Sequence, residues 1–260
     1  MMNRQDTEPS VQAGQDADDR VLPFQLDRTQ MRGRVVRLDR TLGTILSQHR
    51  YPPVVSGLVA EAALLTALIG QAMKLRWKFS IQVRGEGPVR LIATDYYAPE
   101  HAGAPALMRA YAGFDSDAVA SSASDPYSLL GQGVFHVTID QGPDMQPYQG
   151  MTPLSGDGLS ACAEAYFAQS EQIATRFRII AAEAQRPGNR PSWRAGGVML
   201  QQLPEDGGII PDTPRGEDGL MSADDVAAMG AHHEDWNRTN ILLDTVEPHE
   251  LLGQIGRAHV

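Results

Sequence analysis

The stretch Phe79-Ser-Ile-Gln-Val-Arg-Gly-Glu-Gly-Pro-Val-Arg-Leu-Ile-Ala-Thr94 contains two runs of period two joined by turn residues. Phe79, Ile81 and Val83 alternate with Ser80, Gln82 and Arg84, and Val89, Leu91 and Ala93 alternate with Arg90, Ile92 and Thr94. Successive strand side chains point to opposite faces, so this pattern predicts half-buried strands. Gly85-Glu-Gly-Pro88 supplies the turn, and a β-hairpin follows. A hairpin implies an antiparallel or mixed sheet.

Toward the N-terminus, Val54 to Lys74 is apolar nearly all round, with Leu58, Ala62, Leu65, Ile69 and Met73 on one stripe. Such a helix belongs inside a domain, and its single acid, Glu61, must face a partner or a rim. Before it, Thr41 to Arg50 has helical spacing that Tyr51-Pro-Pro53 stops, because proline lacks an amide and restricts the preceding residue. Met31 to Leu38 reads as a first strand, with Met31 and Val35 on one face and Arg32 and Arg34 on the other.

Toward the C-terminus, strands are expected at Leu107 to Phe114, Gly133 to Asp140, Gln146 to Pro153 and Thr175 to Ala184, with a helix from Gly158 to Glu171 that packs Cys162. The fold class is α+β: a mixed or antiparallel β-sheet core packed with helices, followed by a helical linker subdomain. Residues 1–20 read as a disordered tail, 21–190 as the core domain and 191–252 as a helical arm. In the arm, breaker-rich segments bracket the apolar Gly197 to Leu203. Ser222-Ala-Asp-Asp225 then resembles a capping box before Val226, Met229, His233, Trp236, Asn240 and Leu243.

The composition, with 42% hydrophobic and 21% charged residues, is that of a globular protein. The net charge of −10 is unevenly placed. Pro204 to Glu250 holds twelve acids against Arg215 and Arg238, leaving twenty of each sign elsewhere, so the chain is a neutral body with an acidic arm. Nucleic-acid binding would need the opposite sign on one face. The Arg28, Arg32, Arg34, Arg37 and Arg40 cluster, with Asp27 and Asp39 nearby, reads as a solvated strand face. Neither a membrane span nor a targeting peptide is expected, and the localisation reads as cytoplasmic.

Catalytic chemistry finds little support. A G-x-x-x-x-G-K-[ST] loop is missing, adjacent His232 and His233 point in different directions, and one cysteine cannot form a disulfide or a multi-cysteine metal site. An enzymatic alternative would assemble a small-molecule site from the strand-end residues Asp95, His136, Asp140 and Asp144. His136 and Asp140 lie roughly 13 Å apart along one strand, too far to share a proton. The expectation is a binding protein with no catalytic residues and no metal ligands.

Several blocks resemble the redox-regulated, ATP-independent thirty-three-kilodalton heat-shock holdases (the HslO family) over about Val21 to Leu252. These are Phe24-Gln-Leu26, Arg32-Gly-Arg34, Tyr51-Pro-Pro53, Gly85-Glu-Gly-Pro88, Asp140-Gln-Gly-Pro-Asp-Met145, Tyr148-Gln-Gly150 and Tyr166-Phe-Ala-Gln-Ser-Glu171, the last three being the most specific. Gly197-Val-Met-Leu-Gln201, Leu242-Leu-Asp-Thr-Val246 and His249-Glu-Leu251 look like the family's linker region.

The resemblance implies a core that binds unfolded or misfolded proteins, a homodimer, a metastable linker over an apolar face, and a C-terminal four-cysteine zinc domain that restrains it. No cofactor is expected in this chain, and zinc is expected only in the intact family member. The sequence ends instead in Gly253-Gln-Ile-Gly-Arg-Ala-His-Val260, so residues 253–260 read as foreign to the family or as a truncated or disrupted terminus. The candidate client contacts are Met199, Leu200, Leu203, Val226, Met229, Trp236, Leu242 and Leu243.

Overall fold

Two antiparallel sheets enclose one long helix in the computed structural model, which describes residues 19–26, 31–122, 125–155, 158–185, 191–203 and 234–253. The strands are β1 (Arg20–Leu26), β2 (Met31–Leu38), β3 (Lys78–Gly85), β4 (Val89–Tyr97), β5 (Leu107–Phe114), β6 (Gly133–Asp140), β7 (Tyr148–Pro153), β8 (Thr175–Ala184) and β9 (Ser192–Gln202). The helices are α1 (Arg40–Ser47), α2 (Pro53–Ala72), α3 (Ser116–Ser121), α4 (Leu159–Tyr166), α5 (Glu234–Asp244) and α6 (Pro248–Leu252). One sheet runs β5-β4-β3-β6-β7 and the other β1-β2-β9-β8.

The hairpin read from Phe79 to Thr94 is β3–β4, with Ile81 opposite Thr94 and Val83 opposite Ile92. Its inward row, Phe79, Ile81, Val83 and Ile92, meets Phe135 and Val137 of β6 in one buried cluster. α2 starts with Pro53, where a missing amide costs nothing. The helix packs against strands of both sheets, and Leu58, Leu64, Leu65, Leu68 and Ile69 are fully buried. Each such side chain contributes about 1.5–3 kcal/mol of transfer free energy. By length and hydropathy α2 could cross a bilayer, but its apolar surface is accounted for by this position between the sheets.

Glu61 of α2 accepts a hydrogen bond from the Tyr127 hydroxyl, the partner its burial demands. Burial still pushes its carboxyl pKa upward, opposed by that hydrogen bond.

Three expectations need correction. The segment assigned to the start of the arm, within 191–252, is β9 from Ser192 to Gln202, paired to β2 on one side and β8 on the other. Being covered on both faces, it is a continuous apolar run and lacks the period-two signature. Second, Met31–Leu38 is not the first strand: β1 precedes it and forms the sheet edge, and Arg20, placed in the tail, is its first residue. Third, the arginine cluster is a solvated face only in part: Arg32 and Arg40 are exposed, whereas Arg34 is half-buried and Arg37 is buried. Arg37 is 2% exposed and lies 3.2 Å from Asp39, which also pairs with Arg194 at 3.3 Å. The tail at 1–18, Asp27, Arg28, Val226, Met229 and residues 254–260 lie outside the described residues.

Candidate functional site

One face of the four-stranded sheet turns toward α2 and the other toward the arm. Alternation along β2 and β9 sends Val36, Leu38, Ala195 and Met199 into the main core and Met31, Val35, Val198 and Leu200 outward. The outward set is joined by Phe24 of β1 and Ile180 of β8, and it is covered by Trp236 and Leu243 of α5, Val246, and Leu251 of α6. This second apolar cluster is separate from the core.

The cover is built simply. Glu234 and Asp235 in the first turn of α5 complement the helix dipole, and Trp236 and Leu243, seven residues apart, share one stripe. α6 begins with a capping box in which the Glu247 amide donates to Glu250 Oε2 at 2.8 Å. Arg37 Nη1 donates to the Gly253 carbonyl at 2.6 Å, beyond the end of α6.

Two ties from β8 are long. Arg176 Nη2 reaches Asp244 Oδ1, and Arg178 Nη2 reaches the Val246 carbonyl, both at 3.5 Å, the outer limit for a hydrogen bond. Arg176 also donates to Glu164 Oε2 at 3.1 Å, so Glu164, Arg176 and Asp244 link α4, β8 and α5. Between Trp236 and Leu243, Asn240 Oδ1 is buried without a donor among the described residues. An orphaned carbonyl of this kind costs about 1–3 kcal/mol. The opposite face of α5 leaves Ile241 and Leu242 exposed.

The expected contact residues separate by position. Leu200 lies under the cover and Trp236 and Leu243 form it, all three buried. Met199 faces the opposite way, into the main core, and Leu242 is exposed at 59%. Leu203 is half-buried just beyond β9. Met31, Val35, Val198, Phe24 and Ile180 of the face, and Val246 and Leu251 of the cover, were not among the candidates. The spacing of Met31 and Val35 on one side of β2 was a signal for two of them.

The alternative enzymatic set does not converge. Asp95 accepts from Ser80 Oγ and Arg109 Nε, each at 2.5 Å. His136 sits opposite Gln82, Asp140 opposite Lys78, and Asp140 Oδ1 accepts the Gly142 amide at 3.0 Å to close a turn. None of the four lines the cavity beside Arg34 or the one beside Tyr96. Nor do the described residues hold a cluster of three or more His, Cys, Asp or Glu suited to a metal. Cys162 is buried, donates to the Ser155 carbonyl at 3.4 Å, and burial pushes its thiol pKa up. This environment does not fit a zinc ligand.

The chain is thus an α+β domain of two antiparallel sheets around one helix, with a second apolar face lying under a short helical cover. The profile described as Hsp33 protein matches residues 19–256, and the chain belongs to the Hsp33 family. A 33 kDa chaperonin of Caulobacter vibrioides is 42% identical over 194 residues, which is 73% of this chain and 62% of that protein. The 33 kDa chaperonin of Ectopseudomonas mendocina is 32% identical over 230 residues, 88% of this chain and 66% of that one. The chain thus spans a little under two thirds of the length of these relatives, which are named as chaperonins and not as enzymes. The crystal structure of the 33 kDa chaperonin (heat shock protein 33 homolog) from Thermotoga maritima shares the fold. Its TM-score is 0.59 at 18% identity, covering 91% of this chain and 76% of that one.

Proposed function

We propose that this chain is an ATP-independent holdase that captures unfolded or misfolded proteins on the outward face of β1, β2, β9 and β8 when α5 and α6 lift away. The observation that carries this reading is the cover itself. It shields an apolar surface through three large side chains, keeps inside an Asn240 carbonyl with no donor among the described residues, and, apart from the Arg37 bond to the Gly253 carbonyl, is tied to β8 by contacts at the limit of hydrogen bonding. Client side chains would gain about 25 cal/mol for each Å² buried there. The twelve acids between Pro204 and Glu250 would keep a loaded complex dispersed by charge repulsion.

The same reading includes a homodimer. β1 is a sheet edge with Val21, Leu22 and Leu26 exposed, so it offers apolar area to a second copy. Zinc and redox control belong, on the family resemblance, to a four-cysteine domain that one buried cysteine cannot supply.

Light scattering of a heat-denatured client tests the proposal. Suppression of aggregation should rise with the ratio of chain to client, in reductant and without nucleotide. An absence of suppression by a variant whose cover is displaced would refute it.

A further inference from the structure

Arg32 and Arg34 alternate with Gly33 on β2, so both project from the side of the sheet that faces α2. There they line a cavity of about 350 Å³ with Pro23, Ala72, Met199 and Gln201. The site is built around Arg32. Gln201, itself buried, accepts from Arg32 Nε at 3.2 Å and donates to Thr175 Oγ1 at 3.2 Å, and Thr175 donates to the Ile173 carbonyl at 3.1 Å. This chain of bonds fixes the guanidinium through Nε and leaves both Nη groups unbonded among the described residues.

Arg34 meets no carboxylate among the described residues. Burial first, and then the charge of Arg32, hold its pKa below the ordinary arginine value. The end of α2 at Ala72 brings a partial negative charge of about half a unit, which offsets only part of two full positive charges. Arg34 is half-buried beside the exposed Arg32, and among the described residues neither cation meets a carboxylate.

We propose that the cavity between β2 and the end of α2 is a binding site for an oxyanion, phosphate or carboxylate, carried on a small apolar body. Two planar guanidinium forks match the oxygen geometry of such a group, and Pro23, Ala72 and Met199 receive the apolar part. The cavity lies within the usual size range of small-ligand sites. The arginine side chains project from the face of the sheet opposite the proposed client surface, and Phe24 is the residue common to the two sites.

Calorimetric titration of the full chain with phenyl phosphate tests the proposal, with inorganic phosphate as the apolar-free control. Phenyl phosphate should bind saturably and more tightly than inorganic phosphate. Its affinity should fall at least tenfold in Arg32→Gln and in Arg34→Gln, and partially in Arg34→Lys, with circular dichroism showing each variant folded. Lack of binding, or binding unaffected by both arginine substitutions, overturns the proposal.

Discussion

Gly196 of β9 lies directly beneath the Leu251 carbonyl of α6, with no room between them for a Cβ. The neighbouring Gly197 faces the other way, where a Cβ would crowd Ile179, the Arg178 carbonyl and Leu64 of the main core. Adjacent glycines therefore answer to two different layers, one to the cover and one to the core.

Replacing Gly196 with alanine is expected to push α6 off the sheet while leaving the ladder to β2 and β8 intact. The variant should bind a hydrophobic dye more strongly and suppress client aggregation at a lower ratio of chain to client than the parent. Its melting temperature should fall by only a few degrees, as expected for about 1 kcal/mol in a domain of this size. Gly197→Ala is the contrasting control, lowering stability without raising holding activity ahead of unfolding. Equal dye binding by Gly196→Ala and parent would mean that α6 is not held by this contact.

Two consecutive leucines on α5 separate cover from solvent: Leu243 is 8% exposed and Leu242 is 59% exposed. Leu243→Ala should weaken cover docking by about 2–5 kcal/mol, the usual cost of truncating a buried leucine, and make α5 susceptible to limited proteolysis. Leu242→Ala should stay within about 0.5 kcal/mol of the parent. Equal proteolytic rates for the two variants would contradict the observed docking geometry.

What the sequence revealed of this architecture depended on how each element is covered. β3 and β4 have one buried and one open face, so Phe79, Ile81 and Val83 alternate visibly with polar neighbours. β9 is buried on both faces and reads as an uninterrupted Gly-Gly-Val-Met-Leu, the same signal that a buried helix or apolar linker would give. Its pairing of Met31 with Gln202 also joins residues too distant in sequence for any local pattern to report. β1 fails for the opposite reason: as an edge strand it leaves Val21, Leu22 and Leu26 exposed, and no alternation marks it. In the arm, the seven-residue spacing of Trp236 and Leu243 was legible, but Leu242 looks equally apolar and only its angular position on α5 removes it from the interface.

Glu61 gives a pH dependence whose direction is fixed by its surroundings. Burial raises its pKa above the ordinary 4.5, more than the Tyr127 hydrogen bond lowers it. The fold therefore binds this proton more tightly than the unfolded chain does. The resulting stabilisation is fully present below pH 4.5 and is lost as pH rises through the elevated folded value. Glu61→Gln keeps an acceptor for Tyr127 and removes the charge, so the variant should melt higher than the parent at pH 7.5, by a few degrees. The gap should close near pH 4. Thermal melts across this range check the expectation, and a gap that widened on acidification would show that the carboxylate is stabilising.

Cys162, the only thiol, is buried on α4, donates to the Ser155 carbonyl, and has its pKa raised by burial. Attack on a disulfide reagent or on peroxide requires an accessible thiolate, and this environment suppresses both accessibility and ionisation. A thiol-reactive chromogenic disulfide should therefore leave the folded chain unlabelled and react with one equivalent after denaturation. Holding activity in the light-scattering assay should be the same before and after mild peroxide treatment. Cys162→Ser, which retains a donor for Ser155, should behave as the parent does in both conditions. Activation by peroxide that disappears in Cys162→Ser would place a redox trigger inside this domain and overturn the assignment of Cys162 as a packed residue.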